Sequence, residues 1–162
     1  MDPRRRMSLS ALCLECGLCC DGTLFRQVEI SVPERERLVQ LGIGVGQKSK
    51  HDVMWLPCGK LNGKCCSIYE ARPGGCQRFV CALGKRLESR ELDLGVAMAH
   101  VKDMQARVEA LRALLPPPPG EPVLRYARTC IDSATTKVTD AQLQAFQRVE
   151  ALRYGVFMPP PA

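Results

Sequence analysis

The sequence predicts an α+β protein: a small cysteine-rich domain with a short β-hairpin, followed by a long helix and a C-terminal helix. Three observations lead there. Four thiols, Cys13, Cys16, Cys19 and Cys20, fall within eight residues, and Cys58, Cys65, Cys66, Cys76 and Cys81 follow in a segment rich in turn residues. Around these sets, short stretches containing Val, Ile and aromatic residues are broken by Gly, Asn and Pro, the texture of brief strands. From about Lys85 onward the apolar residues recur three and four apart, which is the period of a helix.

In chain order, residues 1–12 read as a flexible N-terminal tail that carries the basic run Arg4 to Arg6, and residues 13–85 as the cysteine-cluster domain. Within that domain Thr23 to Ile30, with Phe25, Val28 and Ile30, reads as a short strand. Ser31 is placed to cap a helix beginning near Pro33. Proline in the first turn forfeits no hydrogen bond there, and Glu34 and Glu36 suit the positive end of the helix dipole. Leu38, Val39 and Leu41 form its apolar side, Gly42 ends it, and Gly42 to Lys50 reads as a loop. Val53 to Cys58 reads as a strand that pairs, through a tight turn at Asn62-Gly63, with a strand containing Ile68 and Tyr69. This hairpin would bring Cys58 near Cys65. Arg72-Pro73-Gly74-Gly75 then breaks the strand and leads into a turn or short helix carrying Cys76 and Cys81.

Residues 86–115 read as a long helix whose seam is Leu94, Ala97, Val101, Met104, Val108, Leu111 and Leu115, with Gly95 suggesting a start near Asp93. The seam either covers the protein's own core or serves a protein partner or self-association. Residues 116–122, with Pro116 to Pro119, form a stiff connector. Residues 123–157 read as a C-terminal helical segment. There Thr139 and Gln142 match a capping box, Leu143, Phe146, Val149 and Leu152 share a face, and Gly155 is a stop. Residues 158–162, with three prolines, read as a disordered tail.

Composition narrows the function classes. At 162 residues the chain fits one domain, or one domain with a helical appendage. Four Phe, three Tyr and one Trp leave the core short of large side chains, a shortage that metal cross-links would offset. The formal charge of +6 counts every cysteine as neutral, whereas metal-bound cysteines are thiolates, so nucleic-acid binding is disfavoured. Export would make ten cysteines a disulfide scaffold. Against export, the apolar stretch Met7 to Leu14 is interrupted by serines and runs straight into Glu15. No run approaches the roughly 20 apolar residues of a membrane span. The expectation is a cytoplasmic protein with reduced thiols and no membrane partner. With no Gly-rich phosphate loop, Cys/His nucleophile signature or paired carboxylates, no residue is assigned a catalytic role.

The cysteine pattern itself points to metal. Cys13, Cys16 and Cys19 are each separated by two residues, which lets a tight turn aim successive sulfurs at one centre. Adjacent side chains diverge, so Cys19 and Cys20 are not expected on the same ion, and the downstream set must complete the coordination. A ferredoxin's continuation and a zinc ribbon's second Cys-x-x-Cys knuckle are both missing. Cys65 and Cys66 point oppositely on a strand, so either can be the ligand. His51 is a better candidate ligand than His100, because the chain returns to the cysteines just after it. Tyr69 and Arg72 are placed to hydrogen-bond thiolates or simply to shape the turn, and isolated Cys130 reads as a buried, idle thiol.

Cys13-x-x-Cys16-x-x-Cys19-Cys20, followed by Pro57-Cys58 and by Cys65, Ile68-Tyr69, Arg72-Pro73, Cys76, Phe79 and Cys81, resembles the CxxCxxCC family of zinc- or iron-chelating proteins, also called YkgJ-like cysteine-cluster proteins. The resemblance covers roughly residues 13 to 85. It implies zinc or iron, as ions or as an iron–sulfur cluster, held by Cys13, Cys16, Cys19, Cys20, Cys58, Cys65, Cys76 and Cys81. Eight thiolates suffice for two four-sulfur sites, or for one cluster with spare redox-active thiols. A related motif in proteins linked to flagellin lysine methylation implies an alternative, an iron–sulfur-dependent protein-modifying enzyme. The chain departs from the family pattern at Gln77, where an arginine is usual, while Cys66 and Cys130 fall outside the family set.

Overall fold

The computed structural model describes residues 3–159. Residues 1–2 and 160–162, the outer ends of the two expected tails, lie outside them. The architecture is α+β, as the sequence predicts. The chain divides into two compact units, Gly17–Val80 and a helical unit made of the residues up to Cys16 together with those from Cys81 onward. The boundaries fall inside the cysteine sets. Cys13, Cys16 and Cys81 therefore belong to the helical unit, and Cys19, Cys20, Cys58, Cys65, Cys66 and Cys76 to the other.

The Gly17–Val80 unit is built on a three-stranded antiparallel sheet in the order β1-β3-β2, formed by β1 (Gln27–Glu29), β2 (Val45–Lys48) and β3 (His51–Trp55). Val28 faces Met54 across one edge of β3, and Gly46 faces Val53 across the other. β2 lies where the sequence suggests a loop, since Gly44 and Gly46 lower the strand signal. Gly46 has a positive reason to be there: a Cβ at that position would lie 2.6 Å from the Trp55 indole nitrogen, so the missing side chain lets the ring sit over the strand. Helix α2 (Val32–Gln40) follows β1, with Ser31 as its N-cap and a proline in its first turn. Leu38 is fully buried, but Val39 is 54% exposed, because one further residue along a helix rotates about 100° away from the packed face.

The Asn62-Gly63 turn also forms, with Gly63 at φ +59, but it joins β4 (Leu61–Asn62) to β5 (Cys65–Cys66) rather than β3 to a later strand. Both edges of β3 are already taken by β1 and β2, so no edge is left for the expected pairing. Ile68 and Tyr69 lie instead at a 3-10 turn, Tyr69–Ala71, ahead of the short helix α3 (Gly74–Arg78). Ile30, Leu38, Ile43, Met54, Leu56 and Cys58 form the core of this unit, with Cys20 and Cys76 packed against it.

In the helical unit, α1 (Pro3–Cys16) occupies most of the segment that reads as a tail. Its amphipathic signal is faint, but Leu12 is buried, and the side chain of Gln105 donates to the carbonyls of Glu15 and Cys16 at 2.9 and 3.1 Å. The expected long helix is two: α4 (Ala82–Glu88) and α5 (Leu94–Leu114), the latter capped by Asp93 Oδ1 accepting from Val96 N–H at 2.8 Å. Ala97, Val101, Met104, Val108 and Leu111 of the seam are buried, and α5 packs against α1, α4, α6 (Val123–Asp132) and α7 (Asp140–Leu152). The seam is thus the core of its own unit. Thr139 and Gln142 exchange the two hydrogen bonds of a capping box at the start of α7. Gly155 does not stop the chain's coiling, which continues in a π-helical turn, Arg153–Phe157, that buries Phe157. Among the described residues no helix is long and apolar enough to cross a membrane.

Candidate metal centre

Three local devices gather thiols in the Gly17–Val80 unit. The first is a tight turn after Gly17, where the N–H groups of both Cys20 and Asp21 donate to the Gly17 carbonyl. Gly17 sits at φ +67, and a Cβ on it would lie 3.3 Å from the Cα of Lys64, so glycine lets this turn press against the β4–β5 hairpin. The second is a direct backbone link, Cys58 N–H to the Cys20 carbonyl at 2.8 Å, followed by Leu61 N–H to the Cys58 carbonyl at 3.0 Å. It ties the approach to β4 to the cysteine turn. The third is α3, where a Cβ on Gly75 would lie 2.6 Å from Val28 Cγ1 and 3.0 Å from the Glu29 carbonyl oxygen. Only glycine lets α3 lie this close on β1, and the edge-to-face pair Phe25–Phe79, with ring centroids 4.7 Å apart, closes the same contact.

The thiols so gathered are Cys20, Cys58, Cys66 and Cys76. Burial pushes the Cys20 thiol up to about 12, helped by the nearby Cys76, Cys58 and Cys66. The Cys76 thiol is pushed up to about 11, again first by burial and then by Cys58, with Arg72 pulling the other way. The neighbouring sulfurs therefore oppose a negative charge on Cys20 and on Cys76, the situation a thiolate-binding cation relieves. Cys58 is buried, whereas Cys65 is exposed. Of the adjacent pair on β5, it is Cys66 that belongs to this group. Among the described residues, no three His, Cys, Asp or Glu side chains stand close enough to hold an ion as they are placed. The soft donors and their number nonetheless suit a four-sulfur centre.

Around Cys76 the polar groups are ordered. Arg72 lies over the Tyr69 ring at 3.6 Å and donates to the Tyr69 carbonyl at 2.9 Å, while Gln77 Nε2 donates to the Arg72 carbonyl at 2.6 Å. Arg72 and Tyr69 thus shape the turn, and Arg72 also supplies a positive charge beside Cys76. Gln77 acts as a brace for that turn. Glu34 joins from α2: one oxygen accepts from Gly74 N–H at 2.6 Å and the other from Ser31 N–H and Oγ–H at 2.7 and 2.9 Å. These bonds hold its carboxyl below the ordinary value. Sequence reasoning missed this role; the signal available was the Ser31–Glu34 spacing, which announces a cap and nothing about Gly74.

The remaining site residues are placed as follows. Cys19 is half-buried in the turn after Gly17. In the helical unit, Cys13 is exposed on α1 and Cys16 is its last residue. Cys81 caps α4, its sulfur accepting from Gly84 N–H at 3.4 Å, and burial raises its pKa in spite of that bond. His51 is exposed at the start of β3, His100 lies on α5, and Cys130 is buried on α6.

An α+β fold that gathers buried thiols on short loops held by glycine contacts and backbone hydrogen bonds defines a cysteine-cluster protein. Residues 12–101 match the family model described as "CxxCxxCC: Putative zinc- or iron-chelating domain". The match covers more than half of the 162 residues, and the chain belongs to this family. Metal chelation is the function that membership supports. No curated protein and no solved structure matches the chain.

Proposed function

We propose that the protein binds zinc or iron through a four-sulfur centre in its Gly17–Val80 unit, with Cys20, Cys58, Cys66 and Cys76 as ligands. The observation that carries this reading is the gathering of these thiols at the unit's core, with Cys58 in it and Cys20 and Cys76 packed against it, where burial and the nearby Cys58 and Cys66 oppose ionisation of Cys20 and Cys76. Cys66 takes the place the family resemblance suggests for Cys65, because Cys65 is exposed on the opposite face of β5. Arg72 supports the thiolate form of Cys76. Cys13, Cys16 and Cys81 of the helical unit are candidate ligands of a further centre within that unit.

Anaerobic purification followed by metal and sulfide analysis and a visible absorption spectrum tests the reading. Zinc without sulfide or colour selects mononuclear zinc, and iron with equimolar sulfide and visible absorption selects a cluster. Metal-free protein that takes up neither metal under reducing conditions overturns it.

A further inference from the structure

The start of α3 carries a hydrogen bond that helix capping does not require. A capping arrangement at the head of α2 needs Glu34 to reach back only to Ser31, and one carboxylate oxygen does this alone, accepting both the N–H and the hydroxyl of Ser31. The second oxygen crosses 40 residues of sequence to accept Gly74 N–H at 2.6 Å. Gly74 is the first residue of α3, and Cys76 stands two residues on. A five-residue helix cannot hold its own position, since isolated helices shorter than about 12 residues are marginal in water. Its placement must come from its contacts, and two are visible: Gly75 against β1 and Gly74 on Glu34. α2 in turn packs on β3, so the carboxylate refers the start of α3 to the central strand.

We propose that Glu34 is a positioning residue of the metal centre, its carboxylate bracketing α2 to α3 so that the Cys76 sulfur is presented to Cys20, Cys58 and Cys66. This rests on the reading of those four cysteines as ligands. The bracket acts through hydrogen-bond geometry, since the Glu34 charge works against ionisation of Cys76 and is the least of the influences on it. Partners that orient a ligand from behind are commonly worth about 10- to 100-fold in metal affinity. Glu34 is expected to fall in that range although it lies far from Cys76 in sequence.

The test is anaerobic titration of the reduced, full-length chain with Co(II), read by sulfur-to-cobalt charge-transfer absorption, with Zn(II) competition for affinity. Glu34→Ala should weaken binding at least about tenfold and lose the same share of charge-transfer intensity as Cys76→Ser. Glu34→Asp keeps the charge and a capping carboxylate but falls one methylene short of Gly74. It should behave like Glu34→Ala, which keeps the test decisive if the alanine variant does not fold. Glu34→Gln retains an acceptor for Gly74 and should restore wild-type binding. Ser31→Ala, which disturbs only the α2 cap, should leave cobalt binding unchanged. Wild-type affinity and spectrum in Glu34→Asp, or a loss in Ser31→Ala equal to that in Glu34→Asp, would overturn the bracket while leaving the ligand set standing. A wild-type chain that takes up no cobalt overturns the ligand set, and the bracket with it.

Discussion

At the scale of single residues, the adjacent pair Cys65-Cys66 is the sharpest case. Sequence spacing admits either, and the alternation of a strand decides between them only once the strand's inner face is known. The exposed Cys65 and the grouped Cys66 make opposite predictions. Cys66→Ser should weaken metal binding at the proposed four-sulfur centre enough to lower the bound metal, and Cys65→Ser should leave stoichiometry unchanged, both read by metal analysis of reduced protein. Glu34 gives a second test, in pH. Its folded-state pKa lies below the ordinary value, with the Gly74 bond as the main cause and the nearby Arg37 assisting. The stabilisation is therefore present in full above the ordinary carboxylate range and is lost as pH falls through the depressed pKa. In metal-free protein, the gap in thermal midpoint between wild type and Glu34→Gln should be constant near neutrality and close on acidification. A gap that widened in acid would reverse the sign and refute the assignment.

At the scale of elements, short pieces are placed by contact rather than by their own propensity. The five-residue α3 and the two-residue strands β4 and β5 have little intrinsic stability, and each is held where a glycine permits close approach. Gly75→Ala would push a Cβ into Val28 and the Glu29 carbonyl. It should cost about 1–3 kcal/mol, the usual range for overpacking, measured by denaturant unfolding, and should weaken metal binding by displacing Cys76. The elements with strong local signals behave as their sequences imply. The capping box opens α7, and Asp93 opens α5. The elements misread are those whose signal is diluted: β2 by Gly46, and α1 by the arginines and serines that interrupt its apolar residues.

At the scale of the whole molecule, the two units draw stability from different sources. The helical unit has a continuous apolar core that includes Val101, Met104, Leu111, Val149 and Phe157. Leu111→Ala should cost about 2–5 kcal/mol through loss of burial and the cavity left behind, and it should leave the metal content of the Gly17–Val80 centre intact. That unit, Gly17–Val80, instead packs a smaller core beside thiols, of which Cys20 and Cys76 are held back from ionising by burial. Because metal-binding free energy becomes folding free energy, stripping the metal with an external chelator should lower amide-exchange protection chiefly within Gly17–Val80, while Val101 to Leu111 of α5 stay protected. Equal loss in both units would contradict this division.

The sequence by itself determined the chemistry: cysteine density and spacing point to metal binding, and the three-four spacing along 94–115 marks an apolar helical seam. These are local properties, written in residue type and period. Only the tertiary structure decided which thiols are neighbours. It placed a boundary inside each cysteine set, left Cys65 exposed and Cys66 part-buried, and brought Glu34 to the start of α3 across 40 residues. The physical reason is that such pairings depend on which strand edges are already taken and on where glycine allows two backbones to touch, and neither is a property of any one stretch of chain.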